Sequence, residues 1–250
     1  MCFDASPPLH PGKTPSVKAG NVGSVGVSEI NKAKRAVLTG PVVSIQARPS
    51  FLLAFRSIFQ AGFLFPCEVG CSIEDLLLRQ LGLERKIVDD KVSTVFLDGH
   101  CVDHMAKAIL THGSTVAFSS ALPGLAGATL RRDGLYAGLR SPITYREEDG
   151  HICPDQGIIT VKLFNLLMDE LGPKFLSKGF AIEPSSLMRL LHVHADEFPQ
   201  EVVSVAFDGK RIEPERLMEK SIYGDAQYVI VSVDTEESRT KIISRSALTP

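Results

Sequence analysis

Two cysteines in the stretch Cys67-Glu-Val-Gly-Cys71 and two histidines in His192-Val-His194-Ala-Asp196-Glu197 are the side chains best suited to chemistry. Thiolates and imidazoles ligate metals, and a neighbouring carboxylate could add a third ligand. Zinc and iron–sulfur sites, however, usually present tighter and repeated cysteine pairs. His192 and His194 share a side only in extended chain, whereas the residues before them have a helical period. His100 and His104, on either side of Cys101, have no matched third and fourth ligand. The sequence has no phosphate-binding loop, nucleophile elbow or dinucleotide-binding fingerprint. The expectation is a protein with no catalytic residues, no metal and no cofactor; a His/Cys metal-binding protein is the alternative.

A second stretch, Ala121-Leu-Pro-Gly-Leu-Ala-Gly-Ala-Thr-Leu-Arg-Arg-Asp-Gly134, raises a different kind of chemistry. Closely spaced small residues suit a flexible tail, yet more than a hundred residues follow. Gly124 and Gly127 read as parts of a joint between two bodies. Arg131, Arg132, Tyr136, Leu139 and Arg140 add the arginine, aromatic and apolar side chains from which interface anchors are made. The expectation is a partner-binding strip over 122–146, with leucines that simply pack onto a neighbouring domain as the other reading.

Composition limits the partners. The 250 residues carry a formal net charge of −2 and are 44% hydrophobic, enough for real cores. No basic stripe of the kind that neutralises phosphates is present, so nucleic acid is not expected as a partner. The run Phe51-Leu-Leu-Ala-Phe55 meets Arg56 far short of the roughly 20 apolar residues that span a bilayer. The N-terminus, Met1-Cys-Phe-Asp-Ala-Ser, has no basic region followed by an apolar block, and the five cysteines are an odd number, so reduced thiols and a cytoplasmic protein are expected. Residues 1–49 carry net +4 and lack a sustained period, which predicts a disordered basic arm.

The elements that would hold these residues repeat. Thr94-Val-Phe-Leu-Asp-Gly-His-Cys-Val-Asp103 is followed by His112-Gly-Ser-Thr-Val-Ala-Phe118, and Ser204-Val-Ala-Phe-Asp-Gly-Lys-Arg-Ile-Glu213 by Tyr223-Gly-Asp-Ala-Gln-Tyr-Val-Ile-Val231. Each copy reads as a strand, an Asp-Gly hairpin turn, a return strand and, after a second glycine, a last strand. Upstream, Phe51–Phe55 and Phe63–Phe65 read as a strand pair. Ser72-Ile-Glu-Asp75 reads as a capped helix start, with Ile73, Leu76, Leu77 and Leu81 on one face and Gly82 as its stop. In the second half Ile158–Phe164 and Phe180–Ile182 read as strands and Ser185–Leu191 as a helix. Each half thus reads β-β-α-β-β-β.

This order, with Val161-Lys-Leu-Phe-Asn-Leu-Leu-Met-Asp-Glu-Leu-Gly172, resembles the β-grasp (ubiquitin-like) superfamily, in particular the sulfur carriers ThiS and the small subunit of molybdopterin synthase. Asp98-Gly99 and Asp208-Gly209 sit where those carriers often have Asn-Gly, and His112-Gly113 and Tyr223-Gly224 where they often have Asp-Gly. The resemblance implies an α+β fold of two tandem β-grasp domains, each a small mixed sheet with one helix. It divides the chain into an arm at 1–49, domains at 50–121 and 157–234, a Gly/Arg-rich joint at 122–156 and a flexible tail at 235–250. Sulfur carriers end in a free Gly-Gly that a partner enzyme adenylates. This sequence ends Ala247-Leu-Thr-Pro250 instead, and Gly124 and Gly127 are mid-chain. A non-catalytic interaction module is therefore expected, whose protein partner the resemblance suggests is an activating enzyme or sulfurtransferase. A sulfur-carrier precursor cleaved near Gly127 is the alternative.

Overall fold

The computed structural model describes residues 39–120, 123–132, 134–145 and 154–235. Most of the basic arm and of the C-terminal tail lies outside the described residues. The first strand, β1 (Val42–Ala47), falls within the stretch assigned to the arm, because Val43, Ile45 and Ala47 alternate with more exposed neighbours and are buried. A 3-10 turn at Pro49–Phe55 and helix α1 (Arg56–Ala61) follow, where a strand was expected. Phe51, Ala54, Phe55, Ile58 and Phe59 recur at intervals of one to four and form a buried helical stripe that continues past Arg56.

Next come β2 (Phe63–Val69) and α2 (Ile73–Asp75), which Leu76–Gln80 extends as a wider π turn. Ser72 Oγ accepts from the Asp75 N–H at 3.1 Å and the Asp75 carboxylate accepts from the Ser72 N–H at 3.3 Å, the reciprocal cap expected from the sequence. Ile73, Leu76, Leu77 and Leu81 are all buried, and Gly82 stops the helix at φ +66°. Helix α3 (Arg85–Lys91) leads to β3 (Thr94–Leu97), β4 (His100–Cys101) and β5 (Thr115–Ser119), and α4 (Gly124–Leu130) opens the joint.

The second half holds β6 (Asp155–Phe164), α5 (Leu167–Lys178), β7 (Phe180–Ile182), α6 (Pro184–Val193), α7 (Phe198–Glu201), β8 (Val202–Phe207), β9 (Lys210–Ile212) and β10 (Val229–Thr235). Helix α5 was not foreseen. Leu167, Leu171 and Phe175 at fourfold spacing bury one side of it despite Pro173.

The repeated hairpins are present. Asp98 and Gly99 have φ of 49° and 82°, Asp208 and Gly209 have 49° and 76°, and two successive positive φ values make the turn that matches strand twist. Each aspartate also clamps the next strand over. Asp98 Oδ1 accepts from the Thr115 N–H at 2.6 Å, and Asp208 Oδ1 accepts from the Val42 N–H at 2.8 Å.

Among the described residues the strands form one mixed sheet of ten, in the order β4-β3-β5-β6-β2-β7-β10-β1-β8-β9, larger than either of the two small sheets expected. From either edge inward the pattern is the same: a hairpin, two parallel strands and an inner strand. The parallel pairs mix the halves of the chain. β6 runs parallel to β5 and antiparallel to β2, while β1 runs parallel to β10 and antiparallel to β8. The first strand of each half is therefore housed among the strands of the other.

β2 and β7 meet at the seam through Leu64 and Ala181. Phe63 and Phe180, on these two strands, have ring centroids 4.4 Å apart, and Phe55, Phe59 and Phe175 pack around them. One aromatic core thus spans the seam, and burial of such rings dominates core energetics.

Candidate functional site: the joint and the seam cleft

The joint is anchored by two of its arginines. The Arg140 side chain is only 1% exposed. Its Nε donates to the Thr129 carbonyl at 2.8 Å, its Nη1 to Thr144 Oγ1 at 3.2 Å, and its Nη2 to the Arg131 carbonyl at 3.3 Å and to the Asp103 carboxylate. A buried guanidinium needs such partners, because an unpaired charge away from water is costly. Arg132 Nε and Nη2 both donate to the Val92 carbonyl, at 3.0 and 2.8 Å, and its backbone N–H donates to the Ser93 carbonyl. The end of the joint pairs with the outer hairpin strand, where Cys101 and Thr144 form a bridge and the Tyr145 N–H donates to the Cys101 carbonyl at 2.7 Å. Arg140, read from the sequence as a partner anchor, is a buried internal strut.

The remaining strip residues divide. Gly124 is exposed at φ +72°, a backbone shape that suits glycine, whereas Gly127 is buried within α4 and its carbonyl accepts from the Arg131 N–H at 3.0 Å. Arg131 is exposed. Leu135 is 99% and Leu139 72% exposed, and Tyr136, Leu125 and Ile143 also face solvent. Leu125 and Ile143 are not among the anchors expected from the sequence. Their apolar character was visible, but only the fold decides which leucines leave the core.

The candidate ligands are not brought together. Cys67 and Cys71 are buried, and burial, with Cys71 and Glu68 adding to it, pushes the Cys67 thiol up to about 12. Burial, then Asp75 and Glu68, also raises Cys71, whose Sγ donates to the Glu68 carbonyl at 3.0 Å and accepts from Gln80 Nε2 at 3.2 Å. Cys101 is buried and raised by burial as well. Thiols held protonated are poor nucleophiles and poor ligands. His192 Nδ1 donates to the Met188 carbonyl at 2.7 Å, and His194 Nδ1 lies 3.3 Å from Glu197 Oε2. Among the described residues no group of three or more His, Cys, Asp or Glu is placed to hold a metal ion.

A cleft of about 640 Å3 opens at one end of the seam, between α1 and α6. Ile58, Ala61, Leu64, Ile182, Leu190 and Val193 supply apolar lining; Arg56, Glu183 and Arg189 supply charge of both signs. Arg56 is held by the Asp169 carboxylate, with Nε at 3.2 Å, and Glu183 accepts from Ser185 Oγ at 3.1 Å. The size is that of a small-molecule pocket, and the position at a junction of two halves is a common one for such pockets. It was not legible in the sequence, since its lining comes from the 3-10 turn, α1, β2, β6, β7, α6 and Tyr228.

Comparison of the chain with protein family models, with curated proteins and with solved structures found no match in any of the three. No helix among the described residues is long and apolar enough to cross a membrane.

Proposed function

We propose that the chain is a non-catalytic pair of β-grasp units that works in the cytoplasm by presenting the joint to a protein partner. Support for the paired units comes from the recurring Asp-Gly hairpins and from the matching strand patterns on the two sides of the seam, with the first strands exchanged. The observation that carries the docking role is the exposure of Leu125, Leu135, Tyr136, Leu139 and Ile143 on a segment fastened from beneath by Arg140 and Arg132. Apolar and aromatic side chains displayed on a rigid support are the usual centre of an interface, and their truncation often costs about 2 kcal/mol or more each in binding. The resemblance to sulfur carriers suggests an activating enzyme or a sulfurtransferase as the partner.

The test compares two variants of the full chain as bait in extract of the native cells. Tyr136→Ala with Leu139→Ala is expected to lose a protein that the unaltered chain retains, while Gly124→Ala with Gly127→Ala keeps it if the altered chain folds normally. Loss with the glycine variant alone, together with an intact mass ending at Gly127, would replace this reading by the carrier precursor. Retention by both variants would reduce the strip to a connection.

A further inference from the structure

The exchange of first strands decides what a cut in the joint can release. β6 belongs to the C-terminal side of the joint, yet it lies between β5 and β2 of the N-terminal side. It pairs with β2 from Phe63↔Val161 to Val69↔Asp155 and with β5 from Thr115↔Thr160 to Ser119↔Phe164. Ile159, Val161 and Leu163 are fully buried there. β1 is the reciprocal case. It belongs to the N-terminal side but lies between β10 and β8, with Val43, Ile45 and Ala47 buried and with Asp208 holding its first N–H.

Every residue of β1 pairs with β10, from Val42↔Ile230 to Ala47↔Thr235. A half removed from the other would lose a strand from within its sheet, leaving two ladders of backbone N–H and C=O groups without partners and an apolar face open to water. The aromatic core crosses the same seam, through Phe63 and Phe180. The covalent joint is thus one link among several between the two halves.

We infer that the working unit is the interlocked pair, and that hydrolysis of a peptide bond in the joint yields a stable two-chain protein in place of two free halves. The reaction consumes one water and creates one carboxylate and one amine. Any new C-terminus made there stays mounted on the ten-stranded sheet. An enzyme that acts on such a terminus has to accept both halves together, unlike an enzyme serving a small free carrier. This inference goes beyond the docking role and holds whether or not the joint binds a partner.

The experiment inserts a recognition sequence for a site-specific protease between Leu135 and Tyr136, both exposed, in the full-length protein. After complete cleavage, seen as two bands on a denaturing gel, the protein is expected to elute at the volume of the uncut chain. The amides of Val43, Ile45, Val161 and Leu163 are expected to keep their slow hydrogen exchange. Separate elution of the two pieces in native buffer would overturn the inference. So would co-elution with fast exchange at β1 and β6, since the pieces would then be held by the seam alone. A third measurement guards against trapping by the joint itself: cut protein carrying Arg140→Ala is expected to stay together, and its separation would also count against the exchanged strands as the lock.

Discussion

Leu139 and Arg140 are neighbours in the chain and opposites in the structure. Truncating Arg140 removes the guanidinium that serves both Asp103 and the Thr129 carbonyl, and losing part-buried charged hydrogen bonds of this kind costs about 1.5–3 kcal/mol. Arg140→Ala should therefore lower the denaturant midpoint clearly. Leu139→Ala should change stability by less than about 0.5 kcal/mol, as expected for an exposed side chain, and act only on partner binding. Chemical denaturation of the two variants checks both; equal losses would mean that Leu139 packs as core.

The buried thiols make stability depend on pH. Cys67, Cys71 and Cys101 are all raised by burial, and the Tyr223 phenol, which donates to the Leu217 carbonyl at 2.7 Å, is raised likewise. Free thiols ionise near about 8.5. Below that value both states keep their protons and the stabilisation is complete. Above it the unfolded chain releases protons that the fold retains, so stability should fall steadily as pH rises from about 8.5 toward 12. Denaturation midpoints followed across that range give the slope, and a flat profile would contradict the burial of these groups.

At the scale of elements, the approach of α5 to α1 depends on the absence of a side chain. A Cβ on Gly172 would lie 2.5 Å from Phe59 Cε2 and 2.7 Å from Cζ, inside any real contact, and Phe59 is itself buried in the aromatic core. Alanine would gain about 1 kcal/mol of helix propensity over glycine. Overpacking of a close-fitted core costs about 1–3 kcal/mol, so the net effect of Gly172→Ala should be a loss. Thermal unfolding measures it, and adding Phe59→Leu should return part of the stability by making room. A gain in stability from Gly172→Ala alone would show that the helices separate easily.

The whole molecule depends on its first described strand. A chain beginning at Phe51, the first residue of the apolar pattern in the sequence, would lack β1, so β8 and β10 would lose their common neighbour. Such a chain should lose the cooperative unfolding transition, whereas a chain beginning at Thr39 should keep it. Circular dichroism during heating distinguishes the two, and a normal transition from the shorter chain would show that β8 and β10 can close on each other. Refolding should also be slow among proteins of this size. Contacts such as Val43↔Val231 join residues far apart in the chain, and closing long loops must precede the contacts that repay them.

The local features were legible in the chain. Asp98-Gly99 and Asp208-Gly209 specify their turns because few residues other than glycine and aspartate or asparagine accept positive φ. Ser72 and Asp75 specify a helix start because both partners of the cap lie within one turn. The stripe on α5 was equally local and was obscured by Pro173 and by the strand-like run before it. The remaining features depend on long-range contacts. The alternation of Val43, Ile45 and Ala47 suits any half-buried strand position and names no neighbour, so the exchange of β1 and β6 follows from how the whole sheet closes. An arginine beside exposed leucines and a tyrosine reads as an interface anchor, and Arg140 is buried because Asp103 and the Thr129 carbonyl, from earlier segments, converge on it with its near neighbour Thr144. Periodicity and turn chemistry act over a few residues, whereas strand partners and buried charges are settled by contacts across the whole chain.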